Sequence, residues 1–307
     1  FTMNKLFVLV VLLSVLISCK SEKKTSIKKE TKSEVIVTDN FELIKATENS
    51  KTVLILFGGF GENPTAIKRE FDILTIAKDN NMNVLLMNYS KKLWLLESEK
   101  KELAKLLQTT LEKHNLHKKD IFIGGFSSGG VVSLHISNYM LGKKEFYIAP
   151  KGVFIADSPI DLLALYRTSQ LNIKNNFSDV SVAESTWVLN LFEETIGNPK
   201  DSISNYEKYA VYTSESDYTK NLENLKNTKL RFYTEPDSIW WKENRNREFN
   251  QTNAFYIQEL SASLKKQNFK NVEFITTENK GYRANGDRHP HSWSTINKEN
   301  LIAWMME

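Results

Sequence analysis

From residue 35 onward, short runs of consecutive apolar residues alternate with longer stretches whose apolar positions recur at helical spacing. An apolar run without polar alternation is typical of a strand that is buried on both faces of a sheet. The runs that predict strands are 35–37, 41–44, 52–57, 83–89, 120–124, 152–156, 230–233 and 272–275. This alternation predicts an α/β domain over residues 35–307, with a mostly parallel central sheet and helices on both faces.

The alternation is interrupted once, between about residues 160 and 227. This stretch contains no pattern of a buried strand, although part of it has the spacing of an amphipathic helix. Loops of this length without secondary structure are uncommon in compact domains. We therefore predict a helical cap that is inserted into the α/β domain at about residues 160–227.

The chain begins with a pattern that is typical of a secretion signal. Lys5 precedes an apolar run over residues 6–17, which ends in Leu16-Ile17-Ser18-Cys19. A basic start, a short apolar run and small residues predict a signal peptide over residues 1–18. The last four residues resemble the lipobox of bacterial lipoproteins, which implies that Cys19 is lipidated and anchors the chain in the bacterial cell envelope, at an inner or an outer membrane. An ordinary signal peptide, in which Cys19 has no role, is the alternative.

The composition excludes several classes of protein. Residues 19–34 are rich in lysine and almost free of apolar residues, so they predict a solvated polar tether. With a single cysteine, the chain can form neither an internal disulfide nor a cysteine-based metal site. The net charge of +4 is mild, and no basic stripe with interleaved aromatic residues indicates a nucleic-acid partner.

Glycine is concentrated at two places where a predicted strand passes into a predicted helix. Seven of the 12 glycines lie in the segments 58–61 and 124–130. The second segment contains Gly125-Phe126-Ser127-Ser128-Gly129, which fits G-x-S-x-G in the required strand–turn–helix context. The tight turn requires small residues two positions before and after the nucleophile, which favours Ser127 over Ser128, because Phe126 lies two positions before Ser128.

From this motif and its context, the chain from about residue 35 to 306 resembles the α/β-hydrolases. The resemblance implies a Ser127 nucleophile and an oxyanion hole in which the backbone N–H of Ser128 is one donor. The second donor comes from the loop after the third strand, which here reads Phe57-Gly58-Gly59-Phe60. Phenylalanine replaces the histidine that is common there, and we expect Gly59 to be the donor, with Phe60 as the alternative and a plain glycine turn as the non-functional interpretation.

In this family the nucleophile, the acid and the base follow one another along the chain, so the base is expected to be a histidine near the C-terminus. His289 and His291 lie between the last predicted strand and the last predicted helix. We expect His291 to be the base, because His-Ser-Trp resembles the His-x-Trp of many related esterases and His289 is restricted by Pro290. His289 is the alternative base. A metal site formed by Asp287, His289 and His291 is a further alternative, although no other cluster supports it.

The acid is expected in a short turn after the strand 230–233. Asp237 is the first choice in Thr234-Glu235-Pro236-Asp237, and Glu235 is the alternative. Asp157 is a third candidate, because some members of the family carry the acid after the preceding strand. The interpretation of Asp157 without a catalytic role is a turn that begins the cap.

These residues predict a serine hydrolase that cleaves a small-molecule ester or acylated substrate without a cofactor. Trp240, Trp241 and Trp293 lie near the acid and the base in sequence, and we expect them to line the substrate site. The alternatives are a peptidase of the same fold and a catalytically inactive surface module that binds glycan or peptide. Ester cleavage is preferred because the chain has no second domain of the size that large oligopeptidases carry.

Overall fold

Eight strands form a single sheet in the computed structural model, which describes residues 34–47 and 49–307. The strands run in the order β1-β2-β4-β3-β5-β6-β7-β8, and only the pairs β1–β2 and β2–β4 are antiparallel. Their bounds are Val35–Val37 (β1), Phe41–Ile44 (β2), Thr52–Phe57 (β3), Met82–Met87 (β4), Asp120–Phe126 (β5), Gly152–Ala156 (β6), Lys229–Thr234 (β7) and Asn271–Thr276 (β8).

The α-helices cover both faces of this sheet. Their bounds are Pro64–Phe71 (α1), Leu74–Asp79 (α2), Glu97–Lys113 (α3), Ser128–Leu141 (α4), Leu162–Asn175 (α5), Asp179–Thr195 (α6), Ser204–Tyr209 (α7), Ser238–Arg245 (α8), Asn253–Lys266 (α9) and Lys298–Met306 (α10). Apolar residues of α3, α4 and α9 pack on one face, and those of α1, α2 and α10 pack on the other. The predicted α/β architecture is therefore confirmed.

The central strands are apolar without alternation because both of their faces are buried. In β3, Val53 and Ile55 belong to the core that contacts α3 and α4, whereas Leu54 and Leu56 belong to the core that contacts α1 and α2. Successive side chains of a strand point to opposite faces, so a strand between two helical layers needs an apolar residue at each position. All of these side chains are buried.

The segment in which the sequence predicts a cap, residues 160–227, lies between β6 and β7. The structure describes every residue of this segment, which contains α5, α6 and α7 together with 3₁₀ helices at Ser214–Ser216 and Lys220–Leu225, and no strand of the sheet. Leu163 and Tyr166 of α5 pack against Val188 and Phe192 of α6 in an apolar cluster of their own. Tyr206 of α7 completes this cluster.

The predictions for the N-terminal region fall almost entirely outside the described residues. This holds for the signal peptide (1–18), for Cys19 and for the tether (19–34) apart from its last residue. Of the helices that the structure describes, none combines the length and the apolar character that a membrane span requires.

Candidate active site

Ser127 lies in the sharp turn that connects β5 to α4. Its backbone has φ 53° and ψ −126°, which is in the left-handed region that residues with a side chain rarely adopt. The turn brings neighbouring backbone segments very close together. A Cβ atom on Gly125 would lie 2.3 Å from the carbonyl carbon of Gly129, and one on Gly129 would lie 2.2 Å from the carbonyl oxygen of Phe57. Neither position can therefore carry a side chain.

His291 connects the serine to a buried carboxylate. Its Nε2 lies 3.0 Å from Oγ of Ser127, and its Nδ1 lies 2.5 Å from Oδ2 of Asp157. An ionised carboxylate can only accept a hydrogen bond, so we assign the proton of the neutral imidazole to Nδ1. Nε2 is then free to accept the hydroxyl proton of Ser127, which is the arrangement that a general base requires.

Asp157 is fixed by several contacts at the carboxyl end of β6. Its N–H donates to the carbonyl oxygen of Tyr233 at 2.9 Å, and Thr234 Oγ1 donates to its Oδ1 at 2.9 Å. The side-chain amide of Asn253 donates to its backbone carbonyl oxygen at 2.9 Å. The Asp157 side chain is only 5% exposed. These contacts fix the carboxylate in the orientation that His291 needs.

Asp237 does not contact His291, and the prediction that it is the partner carboxylate is wrong. Asp237 caps α8 by accepting the N–H of Trp240 at 2.9 Å, and its carboxylate pairs with the guanidinium of Arg288 at 2.5 Å. Glu235, the second choice, also pairs with Arg288 and accepts the N–H groups of Lys280 and Gly281. Both carboxylates are therefore engaged in holding the loop after β8, and the third candidate, Asp157, occupies the place beside the imidazole.

His289, the alternative base, has a different position from His291. It is buried, its Nδ1 accepts the backbone N–H of His291 at 3.2 Å, and its ring packs on Trp240 at a centroid distance of 4.5 Å. Burial lowers the pKa of His289 to about 3, and the positive charges of nearby arginines act in the same direction. Among the hydrogen bonds of the described residues, none joins His289 to Ser127, so it orders the segment around His291 as a neutral ring.

The loop after β3 offers a different oxyanion donor from the one expected. The N–H of Gly59 donates to Oε2 of Glu62 at 2.7 Å, and the same oxygen accepts the indole N–H of Trp293 at 3.0 Å. The Gly59 N–H is therefore occupied, which makes the preference for Gly59 wrong. The N–H groups of Phe60 and Ser128 donate to no acceptor among residues 34–47 and 49–307. Both are free to receive an oxyanion, and Ser128 also lies at the N-terminus of α4.

The three tryptophans expected to line the site have three different positions. Trp241 lines a cavity of about 430 Å³ that also contains Ser127 and His291. Trp240 lies outside the lining and packs behind His289. Trp293 is 1% exposed and stacks on Phe71 at 4.4 Å, so it belongs to the core and is not a substrate contact.

Residues that sequence analysis did not identify form much of the remaining cavity wall. Trp187 of α6 lines it and contacts the ring of Phe60 edge-to-face at 5.0 Å. Arg245 and Arg247 approach from the end of α8 and the loop that follows it. No local motif marks these residues, because they come from distant parts of the chain and meet only in the tertiary structure. Among the described residues, no cluster of His, Cys, Asp and Glu is arranged to hold a metal ion.

Solved structures with a similar backbone establish the fold of this chain. A substrate-bound Staphylococcus aureus fluorophosphonate-binding serine hydrolase, FphF, superposes with a TM-score of 0.53 at 16% identity over 90% of this chain and 98% of its own. The Francisella virulence factor BioJ gives 0.53 at 14% identity, covering 90% of this chain and 84% of its own. Rhizomucor miehei esterases give 0.51 at 16% identity, with 90% and 82% covered. The chain has the α/β-hydrolase fold.

Within this α/β-hydrolase fold, the three hydrogen-bonded residues come from three different strand ends. Ser127 follows β5, Asp157 follows β6 and His291 lies beyond β8. The carboxyl ends of parallel strands meet at one edge of the sheet, which is where open α/β sheets form their ligand sites.

No model of a known protein family matches the sequence, and no curated protein matches it either.

Proposed function

We propose that this chain is a serine hydrolase that cleaves an ester through an acyl-enzyme on Ser127. The observation that carries the proposal is the hydrogen-bonded series from Ser127 Oγ through His291 to Asp157, with spacings of 3.0 and 2.5 Å, at the wall of a cavity large enough for a small ester. A nucleophile, a base within hydrogen-bond reach and a group that orients the base are the components of acyl transfer.

The first half of the reaction forms the acyl-enzyme. His291 Nε2 takes the hydroxyl proton of Ser127 as Oγ attacks the ester carbonyl carbon, and Asp157 stabilises the imidazolium that results. The N–H groups of Phe60 and Ser128 hold the oxyanion of the tetrahedral intermediate. The intermediate collapses, the bond to the alcohol oxygen breaks, and His291 donates its proton to the departing alcohol.

The second half regenerates the free serine. His291, again neutral, takes a proton from a water molecule that attacks the acyl carbonyl carbon. The second tetrahedral intermediate uses the same two N–H donors. When the bond between Ser127 Oγ and the carbonyl carbon breaks, His291 returns the proton to Oγ and the carboxylic acid leaves.

Two further observations support ester cleavage by this chain. The structures that share its backbone include a fluorophosphonate-binding serine hydrolase and esterases. The strained backbone at Ser127 also costs the folded state free energy, which a protein without a reaction to perform would have no reason to retain. Both observations count against the catalytically inactive binding module.

The test is the loss of activity when the Ser127 hydroxyl is removed. We expect the wild-type protein to hydrolyse short 4-nitrophenyl esters and to react covalently with a fluorophosphonate probe, and Ser127→Ala to do neither. Ser98→Ala, which alters an exposed serine of α3, is the matched control and should retain both. Equal activity of wild type and Ser127→Ala would overturn the proposal. Turnover of peptide 4-nitroanilides with greater efficiency than esters would favour the peptidase.

The location of the protein is a separate part of the proposal. We propose that the chain is anchored in the bacterial cell envelope through lipidated Cys19, on the resemblance of Leu16-Ile17-Ser18-Cys19 to a lipobox. Expression in a bacterial host with an alkyne-labelled fatty acid should label the wild-type protein in the membrane fraction. Cys19→Ala should remain unlabelled, and absence of label on the wild type would contradict the anchor.

A further inference from the structure

The cavity beside Ser127 has an unbalanced set of charges on its wall. Arg245, Arg247 and Arg283 line it, and Glu184 is the one carboxylate among its lining residues. Guanidinium groups remain ionised in proteins, so all three arginines carry their charge. His289, which also lines the cavity, has its pKa lowered to about 3 and contributes no charge at neutral pH. The wall is therefore net positive.

Of these three arginines, Arg247 is the one with a wholly buried side-chain nitrogen that lacks a partner in the described part of the chain. It is part-buried, its Nε is wholly buried, and that nitrogen has no hydrogen-bond acceptor among the described residues. Its guanidinium lies over the ring of Trp241, 5.7 Å from the ring centroid. Burial lowers the pKa of Arg247 below its usual value, against the opposing charges of Glu184 and Asp157.

No carboxylate of the described residues neutralises Arg247 through an ion pair. Glu184 is exposed and forms no salt bridge with it, and Asp157 is already engaged by His291. Other arginines of the chain do have such partners, namely Arg69, Arg167, Arg231 and Arg288. A buried donor without an acceptor costs the folded state free energy, so the Nε of Arg247 is a donor for which the described residues supply no partner.

Given the proposed esterase function, on which this inference rests, we propose that Arg247 binds a carboxylate carried by the ester substrate. The planar guanidinium fork matches a carboxylate with two parallel hydrogen bonds. Its contact with the ring of Trp241 holds the guanidinium at the cavity wall. Arg245 and Arg283 add positive potential at the same cavity. The substrate class is thus an ester with a negatively charged group on its acyl or its alcohol part.

The experiment compares matched neutral and anionic esters. On the acyl side, 4-nitrophenyl hexanoate is paired with the 4-nitrophenyl monoester of adipic acid, a six-carbon chain too long for its own carboxylate to attack the ester readily. On the alcohol side, methyl 4-acetoxybenzoate is paired with 4-acetoxybenzoate. We expect wild type to prefer the anionic member of at least one pair by about tenfold or more in kcat/KM, because charge-assisted hydrogen bonds add this much.

The variants show whether Arg247 is the source of this preference. In Arg247→Gln the ratio of kcat/KM for the anionic and neutral members should fall about tenfold, mainly through KM of the anionic ester. Arg247→Lys, which keeps the charge without the fork, should retain part of the ratio. Arg167→Gln is the matched control, because it removes an arginine of α5 that pairs with Glu215 outside the cavity lining. It should leave the ratio and the activity on neutral esters unchanged.

The outcomes separate the failure of this inference from the failure of the proposed function. If the neutral esters are turned over in a Ser127-dependent manner but wild type shows no preference for either anionic ester, the carboxylate site is overturned and the hydrolase stands. An equal loss on neutral and anionic esters in Arg247→Gln also overturns it.

A binding measurement tests the anion site without turnover. Calorimetry of the Ser127→Ala protein with hexanoate and hexanamide should show tighter binding of the carboxylate, and Arg247→Gln in the same background should abolish the difference. Equal affinity for hexanoate and hexanamide would overturn the site. Thermal unfolding provides the folding control, because Arg247→Gln removes a guanidinium that has no ion pair among the described residues and a buried donor without an acceptor, and should not lower Tm.

Discussion

Nδ1 of His291 lies 2.5 Å from Oδ2 of Asp157, although the two residues are 134 positions apart in the sequence. The contact connects the end of β6 to the loop beyond β8, with β7 between them in the sheet. It assigns the proton of the neutral imidazole to Nδ1 and leaves Nε2 to face Ser127. In the mechanism proposed above, Asp157 is therefore the carboxylate that orients the base.

The first prediction concerns the identity of the acid. Asp157→Asn should lower kcat on a 4-nitrophenyl ester by about 10³- to 10⁴-fold, because an amide can donate to Nδ1 and so favours the tautomer that cannot accept the serine proton. KM should change little. Steady-state kinetics together with the thermal unfolding temperature separates this effect from a loss of folded protein.

Asp237→Asn is the matched control for the same chemical change. Asparagine can still cap α8, and Arg288 keeps its pairing with Glu235, so we expect activity within about threefold of wild type. A large loss of kcat in Asp237→Asn, with Asp157→Asn nearly unaffected, would contradict this prediction and show that Asp237, after β7, is the acid.

The second prediction concerns Glu62, which we interpret as a positioning residue for the oxyanion loop. Its Oε2 accepts the N–H groups of both Gly59 and Trp293, and so fixes the loop that presents the Phe60 N–H. Glu62→Leu should lower kcat by about 10- to 100-fold, less than the loss expected for an entire oxyanion donor, with KM changed by less than about threefold.

Glu62→Gln and Trp293→Phe distinguish positioning from a general loss of packing. The glutamine oxygen can accept the same two N–H groups, so Glu62→Gln should recover most of the kcat that Glu62→Leu loses. Trp293→Phe keeps an aromatic ring against Phe71 but removes the indole donor, and should have a small effect. If Glu62→Gln is as slow as Glu62→Leu, or if both leave kcat unchanged, Glu62 does not act through these hydrogen bonds.

The third prediction concerns stability at acidic pH. Burial lowers the pKa of His135 and of His289 to about 3 in the folded protein, whereas an unfolded histidine titrates near 6.5. The unfolded state therefore binds more protons between these values. The stability that both neutral rings contribute is fully present above about pH 6.5 and is lost as the pH falls toward 3.

Thermal unfolding between pH 4 and 8 measures this effect. These histidines should leave Tm of the wild type nearly constant from pH 7 to 8. Tm should then decrease as the pH is lowered below about 6.5. His135→Gln should fall less steeply with decreasing pH than wild type, whatever its Tm at pH 7.5. His117→Gln, a control at a half-buried loop position, should keep the wild-type slope, and identical slopes in all three proteins would contradict the prediction.

The sequence by itself determined the architecture and the position of the serine. Apolar runs without alternation predicted the buried parallel strands because side chains such as Val53 and Leu54 must face two different cores. The strand–turn–helix context identified Ser127, because Gly125 and Gly129 meet backbone atoms at distances that admit no side chain. These features depend on local geometry, which residues close together in the sequence determine.

The tertiary structure alone decided which distant groups meet. Asp157 and Asp237 both follow strands of the sheet, but Asp237 pairs with Arg288 and caps α8, whereas Asp157 lies beside His291. In the same way, the N–H of Gly59 donates a hydrogen bond to the carboxylate of Glu62. Whether a polar group is available for chemistry depends on its partners in space, and the linear order of residues does not specify those partners.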